Sequence, residues 1–195
     1  MKIKISNIWR HLRKIQTHRK WVRHYCFALG LYWQGLTHDL SKYSPIEFWE
    51  SVKYYQGTSS PINAAKKDKG YSMAWLHHRG RNFHHYENWM DNFDHGGMPL
   101  IMPYKYFAEM VCDYLAAARA YQGENFSFAA EREWWNKKKE QCAMAEDNKR
   151  MLNNIFLTLE ETERAYGTER TEEYFCKTGK ELVKLTYFLF VKEPK

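Results

Sequence analysis

The sequence lacks the features that mark membrane-spanning, secreted and repeat proteins. Its longest apolar runs, such as the one at residues 187–191, are far shorter than the roughly 20 residues that span a bilayer. No signal-peptide pattern opens the chain, and neither β-type alternation nor an internal repeat is present. These absences favour a folded, soluble, cytoplasmic protein with no transmembrane segment.

Paired cysteine motifs are also missing. The four cysteines are widely spaced and form no C-x-x-C, which argues against a zinc knuckle and against a disulfide framework. They are Cys26, Cys112, Cys142 and Cys176. A reducing compartment fits this pattern.

Acidic residues are absent from the N-terminal segment. All 23 of them lie at or after Asp39, whereas eight of the 30 lysines and arginines lie within the first 24 residues. The remaining 22 basic and 23 acidic residues leave a net charge of −1, so the net charge of +7 belongs to the N-terminal segment. We predict a basic amphipathic helix over residues 1–16, docked by a stripe of Ile5, Ile8, Trp9, Leu12 and Ile15. Contact of this helix with nucleic acid or an anionic membrane surface is the alternative.

The remaining composition is typical of one globular domain with an all-α fold. The chain has 195 residues, 44% apolar and 27% charged, which suits a single helical bundle. The predicted helices cover residues 1–16, 18–29, 31–40, 45–56, 71–89 with a break at Gly80, 103–121, 129–143, 146–165 and 170–190. Ser44 and Glu47 predict a capping box, and residues 57–70 a surface loop.

Clustered histidines point to a metal site. Imidazole is a common ligand for Zn, Fe, Ni and Mn, and six of the nine histidines, all in or beside predicted helices, are candidate ligands. These six are His18, His38, His77, His78, His84 and His85. A lone helical histidine is more often a core residue, so the hypothesis depends on their clustering.

Two aspartates strengthen the metal hypothesis. Adjacent side chains such as His38 and Asp39 can reach one ion only near a helix end, and a helix end is predicted there. Asp113 lies on the apolar face of its predicted helix, where an unpaired carboxylate costs several kcal/mol. It should therefore ligate a metal or pair with Arg81 or Arg119.

The order of these residues resembles a known superfamily. His18, the segment LTHDLSK at 36–42, the later histidines and CDYLAA at 112–117 are similar to the H…HD…H…H…D pattern of HD-domain metal-dependent phosphohydrolases. The segments GLTHDLSKYSP, AWLHHRGRNFHHYENW and EMVCDYLAA resemble, more closely, the uncharacterised bacterial family domain of unknown function 5662. The resemblance covers roughly residues 15–122. It implies an HD-like metal-binding core at 17–122, followed by a helical extension at 123–195.

The resemblance also implies roles for single residues. The first metal would be held by His18, His38, Asp39 and Asp113, with Asp39 bridging to a second ion; His24 is the rival of His18. We assign His78 and His85 to the second ion, and His84 to substrate binding or to protonation of a leaving group. The paired histidines are seven residues apart, about 10 Å along an unbroken helix. Either a break at residues 80–82 folds the pairs together, or one pair ligates and the other binds substrate or protonates a leaving group. A single-metal site stays open.

These residues predict a metal-dependent phosphohydrolase acting on a nucleotide or another small phosphorylated molecule. One or two divalent ions (Mn, Ni, Co, Mg, Zn or Fe) would activate water, and Lys42 and Arg81 would bind the phosphate beside the catalytic Asp39 and His84. The first alternative is a di-iron HD-type oxygenase. The second is a non-enzymatic helical binding module with a structural metal and a basic N-terminal helix for nucleic acid. The charged C-terminal helices suggest a cover or a homo-oligomer surface.

Overall fold

Helices dominate the chain, so the all-α prediction is confirmed. The computed structural model describes residues 3–191 and contains, within them, nine α-helices and a two-stranded antiparallel hairpin. The helices are α1 (Ile5–Ala28), α2 (Tyr32–Thr37), α3 (Pro45–Lys53), α4 (Pro61–Lys69), α5 (Met73–Arg79), α6 (Tyr104–Gln122), α7 (Phe128–Lys138), α8 (Glu146–Tyr166) and α9 (Thr168–Phe190). The strands are β1 (Met90–Asp91) and β2 (Met98–Pro99). Lys2, one of the eight N-terminal basic residues, lies outside the described residues.

The basic segment does not form a separate helix, because α1 runs without a break from Ile5 to Ala28. Its buried face is the stripe Asn7, His11, Ile15, His18, Val22, Tyr25 and Cys26. The predicted docking stripe is wrong at Ile5 and Trp9, which are 76% and 69% exposed. The apolar second half of α1 fixes the buried face, and that face extends at helical spacing to His11 and Asn7 rather than to Trp9.

Three local predictions need correction. The loop predicted at 57–70 contains α4, which starts at Pro61, ends at Lys69 and is capped by Gly70 with φ +80°. Only Pro61 and Ala65 of α4 are buried, so its apolar periodicity was too sparse to indicate a helix. The helix predicted over 31–40 ends at Thr37, and a 3₁₀ turn covers Leu40–Tyr43. The helix predicted over 71–89 ends at Arg79 and does not resume after Gly80, where Tyr86–Asn88 form only a 3₁₀ turn.

One apolar core runs through the bundle. Helix α6 packs along α1 and contacts α7 and α9, and α8 packs against both α7 and α9. Tyr25, Phe107, Trp135, Phe156 and Phe175 are among its fully buried side chains. The C-terminal helices therefore share their core with the helices that carry the histidines. No helix within residues 3–191 has both the length and the apolar character needed to cross a membrane.

Candidate metal centre

The first group of potential ligands joins three parts of the fold. His18 comes from the buried face of α1, Asp113 from α6, and His38 and Asp39 from the end of α2. Their ligand atoms all lie within 4.8 Å of one another. His18 Nε2 is 3.1 Å from Asp113 Oδ1 and 3.4 Å from Asp39 Oδ2, and His38 Nε2 is 3.4 Å from the same two oxygens.

The backbone at the end of α2 explains how adjacent side chains converge. Asp39 has φ +55°, in the left-handed region that few residues other than glycine adopt. This conformation ends the helix and turns the carboxylate toward the same point as the His38 ring. Strained backbone of this kind is concentrated at functional sites.

The second group of potential ligands lies around the other carboxylate oxygen of Asp39, Oδ1. Asp39 Oδ1 is 3.3 Å from His78 Nε2 and 3.6 Å from His84 Nε2, and His85 completes a set within 4.8 Å. Asp39 is therefore shared, with Oδ2 facing the first group and Oδ1 facing the second. His84 Nε2 also lies 3.8 Å from Asp113 Oδ2, between the two groups.

The two histidine pairs meet because α5 ends between them. The helix stops at Arg79, and a turn at Gly80 and Arg81 reverses the chain, with the Arg81 N–H donating to the His78 carbonyl at 3.1 Å. The Asn88 side chain donates to the carbonyls of Arg79 and Asn82 and fixes this turn. The predicted interruption at Gly80 is thus present.

Unpartnered buried atoms provide the test of whether these residues suit a cation. Five atoms of the two groups are buried without a hydrogen-bond partner: Nε2 of His18, His38, His84 and His85, and Oδ1 of Asp39. Leaving a buried polar atom unpaired costs about 1–3 kcal/mol. Five such atoms facing one small region form a donor set of imidazole nitrogen and carboxylate oxygen, which fits a divalent metal ion.

The charge of the cluster leads to the same conclusion. Four carboxylates (Asp39, Glu47, Glu109 and Asp113) surround the histidines, against one nearby ammonium, that of Lys42. Although burial raises the pKa of Asp39 and Asp113, facing histidines hold both well below the ordinary range. Burial disfavours the charged ring of His38, but Asp39, Asp113 and Glu109 outweigh it and raise its pKa well above the ordinary value. The carboxylates thus require added positive charge, from a proton or from a metal.

This protonation predicts the pH dependence of metal binding. Because its pKa is raised, His38 of the metal-free protein stays protonated to a higher pH than an ordinary histidine, and a metal must displace that proton. Metal affinity should therefore rise with pH, by about tenfold per unit below the raised pKa. Calorimetry of metal binding in two buffers with different ionisation enthalpies should report release of about one proton per chain. Heats that do not depend on the buffer would contradict this.

Two glutamates orient the histidine rings, and sequence reasoning missed both. Glu109 Oε1 accepts from His38 Nδ1 at 2.9 Å and lies 3.2 Å from His84 Nδ1. Glu47 accepts from Nδ1 of His78 at 2.8 Å and from His77. A carboxylate can only accept, so Nδ1 carries the hydrogen and Nε2 keeps the lone pair that a metal needs.

The sequence contains features that point to both glutamates, but those features also have simpler explanations. Ser44 accepts from the Glu47 N–H at 3.4 Å, so the predicted helix cap is confirmed for the serine. The Glu47 carboxylate does not complete the capping box, because it binds His77 and His78 instead. Glu109 precedes Asp113 by one helical turn on α6, a second acid on an apolar face.

Exchange of Glu109 for glutamine should therefore weaken metal binding without unfolding the chain. Loss of the carboxylate behind a ligating histidine typically costs 10–100-fold in affinity. Glu133→Gln, an exposed glutamate on α7, is the matched control. Competition with a chelating dye measures both affinities, and equal values for the two variants would contradict the role given to Glu109.

The other predicted residues lie in different surroundings. Lys42 Nζ is 2.6 Å from Asp39 Oδ2, at the edge of the first group. Arg81 is exposed. Arg119 bonds to Glu172 rather than to Asp113, so neither arginine pairs with Asp113 among residues 3–191.

Two other candidate histidines, His77 and His24, lie apart from both groups of potential ligands. His77 contacts Glu47 and does not join either group of potential ligands. His24, the rival of His18, lies against Glu172 with its side chain 46% exposed. The structure thus brings His18, and not His24, to Asp39 and Asp113.

The fold and the site define a class of protein, an all-α bundle with buried histidine and carboxylate groups that could bind a metal. A family model described as "Family of unknown function (DUF5662)" matches residues 7–158, and the chain belongs to this family. No curated protein and no solved structure matches the chain.

Proposed function

We propose that the protein is a metal-dependent phosphohydrolase that acts on a nucleotide or another small phosphorylated molecule. The observation that carries this proposal is the double use of Asp39, whose two oxygens face separate groups of unpartnered buried ligand atoms. The same residues follow the order H…HD…H…H…D and so resemble HD-domain phosphohydrolases.

His18, His38, Asp39 and Asp113 would hold one ion, and Asp39, His78, His84 and His85 the other. When bound, such divalent ions lower the pKa of coordinated water and neutralise the charge of a phosphoryl oxygen. Glu47 and Glu109 keep the histidine Nε2 atoms aimed at the centre. His84 is 2% exposed and stacks on His38, which supports a ligand role for it over the predicted role as proton donor.

The surroundings of the first group favour an anionic substrate. Lys42 is a half-buried cation directly beside Asp39. Lys14 precedes His18 by one turn on α1 and donates to the Ala120 carbonyl of α6, the helix that carries Asp113. A cavity of about 330 Å³ adjoins this part of α1, although no residue of the two ligand groups lines it; three of its six lining residues are basic (Trp9, Arg10, Arg13, Lys14, Thr17 and Tyr55). Its positive charge suits a phosphate ester or nucleotide.

A substrate screen tests the proposal. Mononucleotides, dinucleotides and sugar phosphates would be incubated with the protein and added Mn, Ni, Co or Mg, and released phosphate measured. We expect the protein to hydrolyse at least one of these classes when metal is present. We expect Asp39→Asn to lose this hydrolysis. Absence of hydrolysis in a metal-loaded protein, or equal hydrolysis by the variant, would overturn the proposal.

A second candidate, an HD-type di-iron oxygenase, is favoured by one feature. The two groups contain five histidines and share a carboxylate, and nitrogen-rich ligation suits iron. Two irons per chain in protein purified without added metal, together with oxygen consumption, would support this function over hydrolysis. The non-enzymatic binding module would instead show neither activity.

A further inference from the structure

A separate cluster of side chains that could hold a metal ion lies between α1 and α9. His24 of α1 meets Glu172 and Cys176 of α9, which are one helical turn apart. His24 Nε2 is 3.2 Å from Glu172 Oε1 and 3.2 Å from Cys176 Sγ. One ligand atom from each residue lies within 4.8 Å of the others.

Hydrogen bonding accounts for this arrangement only in part. Glu172 Oε1 and Cys176 Sγ approach the same ring nitrogen, His24 Nε2. That nitrogen carries at most one hydrogen, so it can either accept from the thiol or share its hydrogen between the carboxylate and the weakly accepting sulfur. A nucleophilic cysteine, histidine and acid triad would use the two ring nitrogens separately. Three potential ligand atoms that face one another are what a shared metal ion requires.

The distances agree with one ion among the three atoms. Zinc bonds to histidine, carboxylate and thiolate at tetrahedral angles place nitrogen about 3.4 Å from oxygen and about 3.5 Å from sulfur. Both observed distances fall within a few tenths of an ångström of these values. The second oxygen of Glu172 accepts from the Tyr25 hydroxyl at 3.1 Å and from Arg119, which fixes the carboxylate with Oε1 facing the cluster.

We propose that His24, Glu172 and Cys176 form a binding site for zinc or a similar thiophilic divalent ion. Three protein ligands leave a fourth position for water, on the side where His24 is exposed. Burial and the Glu172 carboxylate raise the pKa of the Cys176 thiol in the metal-free protein. Binding therefore exchanges the thiol proton for the ion, and the proton passes to solvent.

The site would join α9 to the body of the protein. The family match ends at residue 158, so Glu172 and Cys176 lie beyond it, whereas His24 lies within it. An ion held between α1 and α9 binds the folded chain and not the unfolded one, and so raises stability. This inference does not depend on the proposed hydrolase activity.

Cobalt titration of the full chain tests the site specifically. Bound Co²⁺ gives a strong near-ultraviolet charge-transfer band only when a thiolate is a ligand, and the histidine centre contains no cysteine. The other three cysteines are buried. We expect one equivalent of band-forming Co²⁺ per chain, displaced by added Zn²⁺. His24→Ala should weaken Co²⁺ binding at least tenfold, and Cys176→Ser should abolish the band.

Because His24 is partly exposed, His24→Ala should still fold. The matched control is Glu173→Gln, which changes an exposed glutamate next to Glu172 on α9 and should keep the band. Added Zn²⁺ should also raise the melting temperature of the wild type more than that of Cys176→Ser. No band in the wild type, or a band that persists in Cys176→Ser, would overturn the site. Neither outcome bears on the histidine centre.

Discussion

Asp39→Asn should remove metal from both groups of the histidine centre while the helical content stays unchanged. Asparagine has nearly the same volume, but it lacks the charge and the second carboxylate oxygen. Asp39 faces the first group through Oδ2 and the second through Oδ1, so one substitution disrupts both. We expect metal occupancy to fall by at least 90%. Because the substitution removes a charged ligand, the loss of metal affinity should be on the order of 100-fold.

Asp94→Asn is the matched control, since Asp94 is an exposed aspartate that belongs to neither group of potential ligands. Elemental analysis of both variants after dialysis, with circular dichroism to check folding, measures the effect. Full metal occupancy in Asp39→Asn would show that the site is misplaced.

Lys42→Ala should separate substrate binding from metal binding. The Lys42 ammonium lies 2.6 Å from Asp39 Oδ2, where it competes with a metal for that oxygen, so its removal should leave metal affinity unchanged or higher. A cation beside the phosphoryl group stabilises charge that only the substrate brings, and its loss should lower kcat/KM roughly 100-fold. Arg81→Ala should have a smaller effect, because Arg81 is exposed.

The control for Lys42→Ala is Lys20→Ala, which removes an exposed lysine from α1. Phosphate release at several substrate concentrations gives kcat/KM for the three variants. Equal kcat/KM values in Lys42→Ala and Lys20→Ala would count against a phosphate-binding role for Lys42 and would favour the oxygenase function.

Much of the site could be predicted from the sequence because its chemistry is local. The His38-Asp39 doublet required a helix end, and the chain ends α2 there with a left-handed aspartate. The two histidine pairs required a break, and Gly80 was a visible place for it. Asp113 was conspicuous because a lone acid on an apolar face needs a partner.

The missed features depend on long-range contacts. Glu47 looked like a capping residue, since its position three residues after Ser44 is explained without any distant contact. Its bonds to His77 and His78 exist only once α3 and α5 pack together. Similarly, Trp9 lies at a helical position that suits burial, but the tertiary contacts of α1 leave it in solvent.

The proposed metal centre depends on Asp39 as the ligand that its two halves share. Anomalous scattering from crystals of protein purified without chelator, collected at the absorption edges of the metals found by elemental analysis, tests this role of Asp39. We predict anomalous peaks within ligand distance of both Asp39 oxygens, one among His18, His38 and Asp113 and one among the later histidines. Crystals of metal-loaded protein with no peak beside either oxygen would contradict it.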